Sequence, residues 1–167
     1  VDDVTIRPAR TDEHVLLEEV EHAADTVLET LLQPEQPFAP TPAAERASAP
    51  GFTLVAEEDT GEVVGFVHVL DARDKAHLEQ VSVLPDHGRR GIGRALVEAA
   101  CAEARERGHR SITLRTFADV PWNAPFYRSV GFAETEPSSV AQLARQATEQ
   151  ATGLDRLGRR VQMTREL

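Results

Sequence analysis

Residues 77–108 constrain the fold of this chain more than any other stretch. They read HLEQVSVLP and then DHGRRGIGRALVEAACAEARERG: an apolar strand, a turn holding Gly88, Gly91 and Gly93, and an amphipathic helix. A strand that feeds a glycine-punctuated turn into a helix aims several unsatisfied backbone N–H groups, and the positive end of the helix dipole, at one place beyond the sheet. Gly91 and Gly93 stand where the chain turns tightly and where a side chain would hold a ligand off the amides. Gly91-Ile92-Gly93 on its own is more often just a tight turn. Arg89, Arg90 and Arg94 bring cations to the same spot in an otherwise acidic chain, and with the strand-to-helix context they favour an anion site, a phosphate above all. The stretch is not a P-loop, since no Gly-Lys-Ser or Gly-Lys-Thr closes it, and Leu96 stands where a dinucleotide fingerprint needs its third glycine.

The chain has 167 residues, 41% of them apolar and 28% charged, which fits one soluble globular domain with its own core. Apolar runs fall far short of the ~20 residues of a membrane span. With no signal-peptide pattern at the start, a cytoplasmic protein is expected. The net charge of −10 disfavours non-specific nucleic-acid binding and is compatible with cationic small molecules or basic peptides as partners. Cys101, the single cysteine, rules out an internal disulfide and reads as a small buried hydrophobe among alanines. The six histidines lack ligand spacing of the HExxH kind, so no metal is expected.

In chain order, Val4 to Arg7 reads as a strand. Thr11 to Leu32 reads as one or two helices, with a break near Asp25 and an apolar stripe of Val15, Leu16, Val20, Val27, Leu28 and Leu31. Residues 33–51 hold five prolines and read as a loop with at most one helical turn at Ala43 to Arg46; it is either a wall of a substrate site or a flexible connector. Thr53 to Glu57 and Val63 to Leu70 form a hairpin at Asp59-Thr60-Gly61, and after a turn at 71–75 His77 to Leu84 continues the meander. The helix from Gly91 to Arg107 buries Ile92, Leu96, Ala99 and Ala100. Ser111 to Phe117, reached by that helical crossover, lies parallel to the His77 strand, and the switch from antiparallel to parallel opens a cleft. A short helix follows Asn123, its expected N-cap. Phe132 starts another strand, Ser138 to Gln150 forms a polar helix, and Arg160 to Leu167 forms a strand closing an edge.

Arg89-Arg90-Gly91-Ile92-Gly93-Arg94-Ala95-Leu96 after Val-Ser-Val-Leu-Pro, followed by Asn123-Ala-Pro-Phe-Tyr-Arg-Ser-Val-Gly-Phe132, resembles the two signature blocks of the GNAT superfamily of acyl-CoA-dependent N-acetyltransferases. The IRPAR start and the TLVAEE and GEVVGFVHV segments match too, so the resemblance spans about residues 4–135 of a single domain, with 136–167 adding a helix and a closing strand. It implies an α/β (α+β) fold: a mixed, mostly antiparallel sheet flanked by helices, with a parallel pair splayed at the cofactor cleft. It also implies transfer of an acetyl group from acetyl-CoA to a primary amine of a small molecule or peptide, by direct attack in a ternary complex. The alternative is a non-catalytic acyl-CoA-binding or regulatory domain.

By position, the resemblance places the pyrophosphate on the amides from Gly88 through Arg89, Arg90, Gly91, Ile92 and Gly93 to Arg94. The pantetheine lies along Val81, Ser82 and Val83, with Asn123 and Phe126 also toward the cofactor. Gly88 stands where the family has Gln or Arg, which removes one side-chain contact. Tyr127 falls on the tyrosine that faces the thioester sulfur and is the expected acid. His77 and Glu79, two apart on one strand, are candidate bases; a Glu beside a histidine favours its charged form, so the pair reads as a water-linked relay. Both can equally be solvated strand residues. The Val83 N–H is the expected oxyanion donor. Trp122 and His68 border the acceptor site or simply pack. Dimerisation is common in that family, and a homodimer is compatible with this chain.

Overall fold

The computed structural model describes residues 3–72 and 75–167. Seven strands form one sheet: β1 (Val4–Pro8), β2 (Gly51–Glu58), β3 (Val63–Asp71), β4 (Ala76–Val83), β5 (Ser111–Phe117), β6 (Ala133–Thr135) and β7 (Arg160–Glu166). Their order across the sheet is β1-β2-β3-β4-β5-β7-β6. Every pairing is antiparallel except β4 with β5. This is the mixed, mostly antiparallel sheet with one parallel pair that the sequence implies. One placement differs. The last strand does not close an edge: β7 lies between β5 and the three-residue β6, so β6 is the edge. The expected turn at 71–75 falls partly outside the described residues.

Helix α3 (Ile92–Glu106) follows β4 and packs its apolar stripe on one face of the sheet. Ile92, Leu96, Val97, Ala100, Cys101 and Ala104 are buried there with Leu54, Val67, Val69, Leu78, Ile112 and Leu114. Ala99, expected inside, is half-buried, and Val97 takes the deeper position.

The opposite face carries helix α1 (His14–Leu32), unbroken through Asp25. The stripe read from the sequence is mostly solvent-facing: Val15, Leu16, Val27 and Leu31 are exposed, whereas Leu17 and Val20 pack on Val55, Val63 and Phe66. What covers the inner face further along is polar. Carboxylates of Glu18, Glu21 and Glu29 accept the backbone N–H groups of Ala43, Thr41 and Phe38. The proline-rich segment is therefore fastened to α1 and is no free connector. It leads into α2 (Ala43–Ser48), whose Arg46 is buried, paired with Glu21 and stacked 4.8 Å over the Phe66 ring. The remaining helices, α4 (Ala124–Ser129) and α5 (Val140–Thr152), lie between β5 and β7 in sequence. Among the described residues no helix is long and apolar enough to cross a membrane.

Candidate functional site

The parallel pairing of β4 and β5 lasts two rungs, Ala76 with Ile112 and His77 with Thr113, and then the strands part. A bulge contributes: Leu78 pairs with Val69 and Gln80 with His68, leaving Glu79 as the extra residue, and an extra residue bends its strand and increases the local twist. The Leu84 N–H donates to the Val64 carbonyl at 2.8 Å. Because antiparallel ladders alternate, Ser82 and Leu84 turn their main-chain groups to β3, while Val81 and Val83 turn theirs toward the side that β5 has left. The open strand edge is thus Val81 and Val83. Ser82, grouped with them in the sequence, is buried with its hydroxyl accepting from Gln80 at 2.8 Å.

The turn after β4 spends the Gly88 N–H on the Pro85 carbonyl, 3.1 Å away, so the run of available amides starts one residue later than expected. From Arg89 through Arg94 no N–H has a partner among the described residues; the Ala95 N–H, bonded to the Gly91 carbonyl at 3.0 Å, opens the ladder of α3. Arg89 and Gly91 have left-handed backbones, φ 62° and 81°, and a curl of this kind forms an anion-binding concavity. Ile92 contributes only its amide, its side chain being buried in the core.

Two of the three arginines are engaged elsewhere. Arg90 donates to Glu58 at 2.7 Å and lies 3.0 Å from His87 Nδ1. The Arg90 hydrogen bond, and after it His87, hold the Glu58 carboxyl below its ordinary range. Arg94 donates to the Ser129 carbonyl and hydroxyl at 3.3 and 3.2 Å, tying α3 to α4. Arg89 has no side-chain partner among the described residues.

Asn123 does precede α4, but its side chain does not cap it. Its Oδ1 accepts from the Thr116 hydroxyl at 2.8 Å and the Phe117 N–H at 3.4 Å, which pins the start of α4 to the diverging end of β5. Phe126 lies against Gly93, where an added Cβ would stand 3.7 Å from its ring. Tyr127 packs edge-on between Phe126 and Phe132, with centroids 5.1 and 5.8 Å away. Its hydroxyl has no hydrogen-bond partner among the described residues, and burial pushes it up to about 12.

His77 and Glu79 do meet: Nε2 lies 3.4 Å from Glu79 Oε2, and Nδ1 lies 2.9 Å from the Thr113 hydroxyl. The charge state is the reverse of the expected relay. Burial, helped by Arg145 and Arg115, lowers His77 to about 3, so the imidazole is neutral at physiological pH. Glu79 sits where β4 parts from β5, with its side chain 46% exposed. Enclosure by the surrounding protein raises its pKa; Arg145 opposes that rise and Glu149 and Glu45 add to it. His68 is buried, joined to the Thr53 hydroxyl at 2.8 Å, and lowered to about 4, chiefly by burial. It is a core histidine. Trp122 is exposed.

Arg115, Arg145 and Glu149 were not singled out from the sequence, although signals for them exist. Thr113, Arg115 and Phe117 alternate onto one face of β5, and Arg145 and Glu149 are four apart on α5, hence on one side of it. Glu149 pairs with Arg115 at 2.9 Å and with Arg160 at 2.7 Å.

A sequence model of the Acetyltransferase (GNAT) family matches residues 17–132. The chain belongs to the GNAT acetyltransferase family. Its curated relatives include an uncharacterised N-acetyltransferase of Methanocaldococcus jannaschii, 34% identical over 86 residues, covering 47% of this chain and 38% of that one. The alanine N-acetyltransferase of ribosomal protein bS18 from Escherichia coli K12 is 34% identical over 74 residues, covering 44% and 50%. The matched segments thus span half or less of these relatives' own lengths. The solved structure of the Escherichia coli S18-alanine enzyme shares the GNAT fold, with a TM-score of 0.71 at 20% identity over 98% of this chain and 93% of that one. A GNAT acetyltransferase from Brucella melitensis, solved in complex with acetyl-CoA, is 28% identical with a TM-score of 0.59 over 78% of this chain and 82% of that one.

Proposed function

We propose that this GNAT chain transfers an acetyl group from acetyl-CoA to a primary amine by direct attack, with both substrates bound together. The observation that carries this reading is the row of N–H groups from Arg89 to Arg94 at the start of α3 that have no partner among the described residues, set beside the open edge of β4. Amides so arranged fit the pyrophosphate, and Val81 and Val83 offer main-chain groups to which an extended pantetheine can add as a strand. Cys101 supports direct attack: it is buried in α3 and pushed up to about 11 by that burial, so it is a poor nucleophile.

Glu79 is the base. A carboxylate raised above its ordinary range and open to the cleft suits removal of a proton from an ammonium group. Neutral His77 acts as a positioning residue. The Glu79 carboxylate beside Nε2 favours the tautomer with its proton there, which leaves Nδ1 to accept from the Thr113 hydroxyl. Tyr127, protonated and without another partner, donates to the departing sulfur. As the C–N bond forms and the C–S bond breaks, nitrogen gives one proton to Glu79 and another to solvent; the departing sulfur, hydrogen-bonded by Tyr127, gains that hydroxyl's proton late, after which solvent reprotonates the phenolate and takes the proton from Glu79.

Calorimetry should show micromolar binding of acetyl-CoA, and free thiol should accumulate with an amine panel. Glu79→Gln should lower kcat/KM and remove the acidic limb of its pH profile. No binding at millimolar acetyl-CoA would overturn the reading, and binding without turnover of any amine would favour a non-catalytic acyl-CoA-binding domain.

A further inference from the structure

Two residues beyond the last shared rung, β4 carries Glu79 and β5 carries Arg115. The strands run in the same direction, so the two stand on opposite lips of the gap, and no ion pair joins them among the described residues. The Glu79 carboxylate reaches back to His77, whose ring touches Thr113; Thr113 and Arg115 share a face of β5. One acidic and one basic lip on the same face form a surface complementary to a zwitterion.

The basic lip continues into a cavity of about 230 Å³ between β5, β7 and α5, with an adjoining hollow of about 240 Å³ that shares Arg115, Arg159 and Arg160. Neither reaches the roughly 300 Å³ at which pockets for drug-sized ligands begin. Three guanidinium groups, those of Arg115, Arg159 and Arg160, face two carboxylates, Glu149 and Asp155, in the first cavity, while Glu134 and Glu136 line the second. Within the first cavity alone the guanidinium groups outnumber the carboxylates, three to two.

The guanidinium groups are incompletely satisfied. The Arg115 side chain is only 6% exposed, and its Nε and Nη1, together with Arg160 Nε and Glu149 Oε2, have no hydrogen-bond partner among the described residues. Arg160 lies over the Phe117 ring, 4.4 Å from its centroid, and Arg159 is exposed and pairs with Glu134 at 3.5 Å. Buried donors without acceptors are costly, and a planar carboxylate is the group whose geometry matches a guanidinium fork.

We propose that the acceptor is a small amino-carboxylate, its ammonium group at Glu79 and its carboxylate in the cavity walled by Arg115, Arg159 and Arg160. This rests on the amine-acetylating reading above and narrows its substrate class to amino acids and their close analogues. The carboxylate fixes the molecule at one end, so that the nitrogen at the other meets the gap between the strands.

The test reads binding rather than turnover. Protein saturated with coenzyme A is titrated with N-acetyl amino acids and with the matching N-acetyl amino amides. For at least one side chain the acid should bind at least about tenfold more tightly than the amide, the scale of one charge-assisted hydrogen bond. Arg115→Gln should bring that ratio to near unity with coenzyme A affinity unchanged. Arg159→Gln, at an exposed position that leaves the Glu149 pairs intact, should reduce it and stands as the test if the Arg115 variant fails to fold. No acid preference for any side chain, or a preference that survives in both folded variants, overturns the proposal. Discrimination without turnover of any amine would sink the reaction and support the cavity; turnover of amines without discrimination would sink the cavity alone.

Discussion

Replacing Tyr127 by Phe removes one oxygen and nothing else from the structure. The hydroxyl has no protein partner among the described residues, and the ring is held by Phe126 and Phe132, contacts that phenylalanine keeps. Stability should therefore change by less than about 0.5 kcal/mol. The chemical effect follows from acidity. Tyr127 is pushed up to about 12, whereas an ordinary thiol titrates near ~8.5. Full proton transfer to the departing sulfur is then uphill by roughly 3.5 pKa units, or about 4.8 kcal/mol at ~1.36 kcal/mol per unit. The hydroxyl therefore acts as a hydrogen-bond donor to developing charge, its proton moving late. One such bond to a charged acceptor contributes about 1.5–3 kcal/mol, so kcat should fall by roughly 10- to 150-fold. The assay is free-thiol release at saturating acetyl-CoA and acceptor, with thermal unfolding of both proteins measured alongside. Because a group at about 12 keeps its proton throughout, the ratio of wild type to variant should stay constant from about pH 6 to about pH 10. A turnover within about twofold of wild type, or a ratio that collapses as the medium turns alkaline, refutes the reasoning.

Gly91 has φ 81°, so Gly91→Ala should cost about 1–2 kcal/mol and weaken coenzyme A binding as the curl of amides relaxes; unchanged melting and unchanged calorimetric affinity would refute it. Glu21→Gln strands the buried Arg46 guanidinium and should cost about 3–5 kcal/mol in urea unfolding; a loss under about 1 kcal/mol would show that the pair does not hold α2 in place. His77 and His68 are lowered to about 3 and about 4. Below the ordinary histidine range the unfolded chain takes up protons that the folded chain refuses, so stability should be full above about pH 6.5 and decline as the pH falls toward those values, by about 1.4 kcal/mol per pH unit for each histidine. His68→Gln should flatten that slope in thermal melts, and an unaltered slope would sink the assignment.

The order of elements and the single parallel pair were legible because they rest on local signals: alternation in the strands, glycines at the turn, and the stripe of α3. The row of available amides after β4 was legible except at Gly88, whose N–H goes to Pro85, since backbone amides at a helix start need no particular side chain. What escaped depended on partners remote in sequence. The α1 stripe was misread because periodicity cannot distinguish a helix face packed on apolar side chains from one spread over a backbone that its carboxylates bind. The bulge at Glu79 has no glycine to announce it; it exists only as an offset between β3 and β4. Asn123 has the composition of a helix cap and spends its oxygen on Thr116 and Phe117. The neutral state of His77 follows from its burial and from the charge of Arg145 on α5, a helix more than 60 positions away along the chain.

The fastening of the proline-rich segment to Glu18, Glu21 and Glu29 has an evolutionary corollary. A segment whose shape is dictated by a helix cannot be exchanged on its own, for its main chain would arrive without its acceptors. Transplanting this segment from a cousin would require the matching row of α1 to travel with it, so the two distant blocks should change in step.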